Sequence, residues 1–280
     1  MKLRAFFRNH PVFTVEDFAG FLSSDGTHNL RTQESLLTYH VKAGNIVRVR
    51  RGLYASVPPG ASAQTYPVDP YLLAARMAKD AVLAYHTALE FHGKAYSVYE
   101  RFTYLSSKPM SLVNFRAHQF KCVSLPKALV QKNATSFNVI KTDRSGMTIS
   151  VTGLERTFVD VLNRPDLTGS WEEIWRSLES VEYFDLEKVA SYVDFLGNAT
   201  TAAKVGFFLE QHRESLMVDE THLKTLRERR PRRPHYLERS RRQAGRLVAD
   251  WNLVVPEEVY GRTWEESKPS DATRFLNGKP

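Results

Sequence analysis

Between Arg31 and Arg51 the chain carries two sets of side chains whose types and spacing suit the reading and holding of a nucleic acid. Arg31, Ser35, Thr38, Tyr39 and Lys42 fall within roughly 100° of arc on a helical projection, with Thr32 and Gln33 at its start. Short hydroxyls and amides reach base edges in a major groove, and cations beside them hold phosphates. Gln33, in the first turn, is placed to pair bidentately with adenine, with Thr38 and Tyr39 as central readers. Farther on, the run AGNIVRVRRGLYA turns Val47 and Val49 inward and Arg48 and Arg50 outward before Arg51 and Gly52 turn a hairpin. Arg48, Arg50 and Arg51 would then grip backbone or minor groove.

Constellations that could support catalysis are weaker. A nucleotidyltransferase needs a Gly-Ser turn followed by paired aspartates for two metal ions. Gly169-Ser170 is followed instead by Trp171-Glu172-Glu173, so the chain does not read as such an enzyme. Glu266-Ser267-Lys268 has the form of a restriction-type nuclease tripeptide, with Asp250 upstream, but Pro269 and a polar tail disfavour a buried catalytic strand. His86 and His92 lack the i, i+4 spacing of a helical zinc pair and read as packing or surface residues. Cys122 is the only cysteine, which removes disulfide frameworks and cysteine-based zinc sites. The expectation is no enzyme activity, no metal and no cofactor.

The positioning elements can be read from apolar spacing. Leu3, Phe6 and Phe7 mark a first helix, and Val15, Phe18, Ala19 and Leu22 a second, which starts at Thr14 with Asp17 completing a capping box. A third helix is expected from Gln33 to Ala43, capped by Thr32, stopped at Gly44 and packed through Leu36, Leu37, His40 and Val41. Helix, strand, basic turn and returning strand together are the pattern of a winged helix. Four prolines punctuate Val57 to Pro70, a semi-rigid connection. The division expected is residues 1–57, a connection at 58–70 and a larger part at 71–280.

That larger part mixes types. Helices are expected at Tyr71 to Lys79 and Ala84 to Phe91, then strands at Phe102 to Leu105, His118 to Ser124, Phe137 to Lys141 and Met147 to Val151, the last two joined by a turn at Asp143 to Gly146. Helices follow: one opened by a Thr152–Glu155 capping box, with Arg156 and Asp160 as a surface pair, one marked by Trp171, Trp175 and Leu178, and one capped by Asn198, where Gly206 permits close packing. The fold class is α+β, an N-terminal winged helix-turn-helix plus a larger mixed α/β part.

At 280 residues with 42% apolar and 25% charged content, the chain reads as an ordinary globular protein. No apolar run approaches the roughly 20 residues of a membrane span. MKLRAFFRNHPVF is broken by Arg4, Arg8 and His10 and lacks a signal-peptide core, so a cytoplasmic location is expected. The net charge of +8 is uneven: His222 to Arg246 holds ten Lys or Arg against two Glu, and residues 1–57 hold eight basic against four acidic. Arg227, Arg229, Arg230, Arg232, Arg233, Arg239, Arg241 and Arg242 form an auxiliary basic patch. Two concentrated regions on a slightly acidic body point to phosphate-bearing partners.

The runs VRRGLYA, DPYLLAARMA, YHTALEFHG, VTGLERTFVDVLNRPDLTGSWEEIWRSLES, AAKVGFFLEQHRESL and WNLVVPE, in this order, resemble the AbiEi-family antitoxins of type IV toxin-antitoxin systems. The resemblance covers most of the chain, and His40 stands where the pattern has an aliphatic residue. It implies a winged helix that represses its own operon; the partner expected is double-stranded DNA of its own promoter, with inverted repeats preferred. It also implies a C-terminal part that counteracts a nucleotidyltransferase toxin without a stable complex being obligatory. The competing readings are a DNA-targeted nuclease and a nucleic-acid binder with no toxin partner.

Overall fold

The computed structural model describes residues 2–24, 26, 29–238 and 245–265. Glu266-Ser267-Lys268 and Arg239, Arg241 and Arg242 lie outside the described residues. The chain opens with α1 (Lys2–Asn9), β1 (Val12–Thr14), α2 (Val15–Ser24), α3 (Leu30–Lys42), β2 (Ile46–Arg50) and β3 (Leu53–Ser56). The strands form an antiparallel sheet in the order β1-β3-β2. This is a winged helix-turn-helix. Its core is largely aromatic: Phe6, Phe13 and Phe18 pack with Leu22, Leu37 and Ile46.

Local signals behave as expected at two of its joints. Asp17 N donates to Thr14 Oγ1 at 3.1 Å while Thr14 N donates to Asp17 Oδ2 at 2.8 Å, the reciprocal bonds of a capping box. Gly44 takes φ +72° and ends α3. The start of α3 differs from expectation. Asn29, not Thr32, is the N-cap and accepts from Arg31 N at 2.9 Å. Leu30 lies in the first turn yet is 76% exposed, so the apolar period begins after the helix does.

Beyond residue 57, Asp69 caps α4 (Pro70–Arg76), accepting from Tyr71 N at 2.9 Å. Then come β4 (Val82–Leu83), α5 (His86–Phe91), β5 (Arg101–Ser106), β6 (Val113–Phe115), β7 (His118–Ser124), α6 (Lys127–Gln131), β8 (Val139–Arg144) and β9 (Met147–Thr152). These strands make one mixed sheet in the order β6-β7-β5-β4-β9-β8. The helix expected from Ala84 starts at His86, because Val82 and Leu83 pair with β5 and β9 and Tyr85 turns the chain at φ 57°. The β8–β9 hairpin turns at Ser145 and Gly146 as anticipated.

The connection at 58–70 is held from Ala63 onward. Arg116 donates to the carbonyls of Ala63, at 2.7 Å, and Tyr66, while Arg144 Nε donates to Asp69 Oδ2 at 2.6 Å. Val12, Val49, Leu53 and Ala55 of the winged helix share a buried cluster with Val68, Leu72, Leu73, Phe102, Tyr104 and Phe120.

The remaining elements are α7 (Leu154–Asn163), a 3-10 turn (Pro165–Leu167), α8 (Trp171–Glu179), α9 (Leu186–Leu196), α10 (Ala199–Gln211), α11 (Glu220–Glu228), β10 (His235–Tyr236), β11 (Gly245–Val248), β12 (Leu253–Pro256) and α12 (Glu257–Tyr260). The small sheet β10-β12-β11 was not anticipated, because its strands are too short to show a period. Trp171, Trp175 and Leu178 are buried on α8, and Asn198 caps α10 through Thr200 N. A Cβ on Gly206 would overlap the buried Trp251 ring, so glycine there permits the close approach.

Two expectations for α7 are corrected. Thr152 and Glu155 form no capping box: Thr152 Oγ1 bonds to Thr157 Oγ1 at 2.7 Å, and Glu155 Oε2 accepts from Asn138 Nδ2 at 2.8 Å. Arg156 and Asp160 are not a surface pair; both are buried, with Nε 3.5 Å from Oδ2. Every residue of α7 from Arg156 to Leu162 is buried, so this helix has no solvent face for them to occupy.

Candidate nucleic-acid interface

Helix α3 presents its polar stripe as the spacing requires. Arg31, Thr32, Ser35, Thr38, Tyr39 and Lys42 are all exposed, Tyr39 at 64%. The opposite side is seated by Leu37 in the aromatic core and by His40, whose ring meets Phe7 edge-on at 4.9 Å. Burial lowers the pKa of His40 below its ordinary 6.5. Asn45 Nδ2 donates to His40 Nδ1 at 3.0 Å, which ties the helix end to the start of the wing.

Gln33 does not belong to this face. It is 5% exposed, and its Nε2 donates to Val15 O at 2.9 Å, joining α3 to α2. The reason is angular: position 33 precedes Leu37 by four and His40 by seven, so it lies on the seated side. Val41, expected to pack, is instead 37% exposed. Leu30 and Val41 therefore add apolar surface to the outer face that a polar-stripe reading misses. Apolar side chains there suit thymine methyl groups.

The wing is built differently from a simple alternation. Arg48 and Arg51 are exposed, but the β2–β3 register shifts between Arg48 and Arg50, which turns Arg50 inward. Arg50 Nη2 donates to Met77 O at 2.6 Å, and Met77 is the C-cap of α4. A guanidinium suits that end of a helix, where carbonyls lack partners. Arg50 thus fastens the wing to α4 and is not one of its outward cations.

The second basic region is also partly consumed by structure. Arg227 pairs with Glu210 at 2.9 Å and with Glu220, while Arg229 pairs with Asp194. Arg230 Nη1 donates to Arg227 O at 3.2 Å. Arg232 and Arg233 are exposed and, among the described residues, unpartnered.

The two histidines and the Gly-Ser pair of the sequence reading are tied into the larger part of the fold. His86 Nε2 lies 3.1 Å from Glu173 Oε1 and Nδ1 lies 3.7 Å from Glu90 Oε2, with the ring stacked on Tyr99 at 3.9 Å. Burial alone would lower the His86 pKa, but its interactions with the Glu173 and Glu90 carboxylates outweigh it and raise it. Burial alone would raise Glu173, yet bonds from His86, Ser97 and Ser177 hold it down to about 2. His92 Nε2 bonds to Thr152 O at 2.8 Å. Ser170 of the Gly-Ser pair caps α8, accepting from Glu173 N at 3.1 Å, and Asp250 lies in a 3-10 turn between β11 and β12.

Element order, sheet order and an exposed helix ahead of the hairpin define a winged helix-turn-helix at the N-terminus. Residues 1–57 match the family described as transcriptional regulator, AbiEi antitoxin, the resemblance that the sequence suggested. Across 95% of this chain and 94% of the other, the fold is similar to the crystal structure of RV2827C protein from Mycobacterium tuberculosis, with TM-score 0.63 and 18% identity. No curated protein sequence matches the chain significantly. Among the described residues no helix is long and apolar enough to cross a membrane.

Proposed function

We propose that this chain is a cytoplasmic DNA-binding autorepressor and antitoxin that acts by binding rather than catalysis and counteracts a nucleotidyltransferase toxin. Residues 1–57 serve as the reading head, 58–70 as the connection and 71–280 as the antitoxin part. The observation that carries the reading is the exposed stripe on α3 beside exposed wing cations, within the stretch that matches the AbiEi regulator family. Thr38 and Tyr39, with Ser35, read bases; Arg31, Lys42, Arg48 and Arg51 hold phosphates. Arg232 and Arg233 add an auxiliary phosphate grip or a toxin-facing surface.

The test has two arms. The protein should retard duplex DNA from its own upstream region, with inverted repeats preferred and affinity falling steeply with salt. Equal affinity for scrambled sequence sinks the repressor. Co-expression should suppress the lethality of a nucleotidyltransferase encoded beside it; unchanged lethality sinks the antitoxin.

A further inference from the structure

The wing leans on the turn that follows α4. Arg50 Nη2 bonds to Met77 O at 2.6 Å, and Arg76 Nη1 stands 3.8 Å from Asp17 Oδ2 of α2. Lys79 follows Met77 by two residues, so its Cα lies within about 7 Å of that junction. It is exposed and has no side-chain partner among the described residues.

A second loop is drawn to the same place. Asp80 Oδ1 accepts from Ser106 Oγ at 2.7 Å and Oδ2 from Ser107 N at 2.7 Å, and Lys108 N donates to Ser106 Oγ at 3.2 Å. The Lys108 side chain is exposed and likewise unpartnered among the described residues. The Asp80 carboxylate is occupied by these serines. Three free cations, Arg51, Lys79 and Lys108, therefore come from three distant segments to the distal end of the wing.

We propose that Lys79 and Lys108 continue the wing's row of phosphate contacts, so that duplex DNA held by α3 and the wing is also gripped by the larger part of the chain. This rests on the DNA-binding reading above. Duplex DNA carries a charge every ~1.7 Å of axis, so a cation a few residues from the wing meets the same backbone. These contacts carry no sequence information; they add affinity and fix orientation. They also explain why the wing is fastened to α4: a fixed wing keeps both rows in register.

The experiment uses the full chain and duplex DNA from its upstream region, followed by fluorescence anisotropy from about 50 to about 200 mM salt. Lys79→Gln with Lys108→Gln should lower the slope of log affinity against log salt by about 1.8, shrinking the affinity ratio between the two salts about 12-fold. Lys141→Gln, an exposed cation on the edge strand β8, removes equal charge per residue and should leave the slope unchanged. Lys42→Gln and Arg48→Gln report on α3 and the wing. If those two lower the slope while the Lys79/Lys108 variant matches the wild type, the second row is overturned and the DNA reading stands. If the wild type shows no salt-dependent DNA binding, the DNA reading itself fails.

Discussion

Arg48 and Arg50 stand two residues apart on one strand, and replacing each by alanine should give opposite results. Arg50 donates a charge-assisted bond of 2.6 Å to the carbonyl of Met77, the C-cap of α4, in a partly buried setting. Such a bond is worth about 1.5–3 kcal/mol, and partial solvent exposure brings the expected loss for Arg50→Ala to about 1–2 kcal/mol. For a chain of this size that lowers the melting temperature by about 2–6 °C. DNA affinity should fall by no more than about tenfold, through a loosened wing, with the salt slope unchanged because no phosphate contact is lost. Arg48 is exposed, and its side chain has no hydrogen-bond or ion-pair partner among the described residues. Arg48→Ala should leave stability within about 0.5 kcal/mol and lower the salt slope by about 0.9. Thermal melts and anisotropy titrations on both variants measure all four quantities. A slope that falls for Arg50→Ala as it does for Arg48→Ala would refute the assignment of Arg50 to packing.

Asp160→Ala should destabilise the fold by about 3–5 kcal/mol, because it strands the buried Arg156 guanidinium, which keeps only its bonds to Thr135 O and Phe137 O. Urea denaturation checks this, and a loss below about 1 kcal/mol would mean that water reaches the pair. The His86–Glu173 contact sets a pH window. The raised His86 pKa makes its contribution complete below its ordinary 6.5 and lost as pH rises through the higher folded value. Glu173, held at about 2, contributes fully above its ordinary 4.5 and loses that contribution as pH falls toward 2. The melting-temperature gap between wild type and Glu173→Gln should therefore be widest between pH 4.5 and 6.5. A gap that does not change with pH would contradict the ion pair.

What was legible in the sequence was local. The Thr14–Asp17 bonds, the positive φ of Gly44, the turn at Ser145 and Gly146 and the Asn198 cap all join residues within four of one another, so spacing alone specifies them. The misplacements share a different cause. Gln33 is turned inward by Val15, eighteen residues away, and Arg50 by Met77, twenty-seven away. Arg156 and Asp160 look amphipathic on a projection of α7, but the projection assumes one solvent face, and this helix has packing on all sides. A strand alternation likewise carries no sign of a register shift, which is why Arg48 and Arg50 look equivalent until β2 and β3 are paired.

The same distinction changes the meaning of the charge distribution. Counting lysines and arginines makes 222–246 the stronger positive region, yet Arg227 and Arg229 are answered by Glu210, Glu220 and Asp194, which lie in α10, in α11 itself and in α9. A cation already paired contributes little to the field a phosphate meets, and withdrawing it from its partner offsets much of what the new contact gains. The count around the wing errs in the other direction. Residues 1–57 lose Arg50 to α4, but the fold brings Lys79 and Lys108 to the distal end of the hairpin from a part of the chain that shows no basic cluster in sequence. Free charge rather than total charge governs phosphate binding, and on that measure Arg31, Lys42, Arg48, Arg51, Lys79 and Lys108 count in full, as Arg232 and Arg233 do, while Arg50, Arg227 and Arg229 do not.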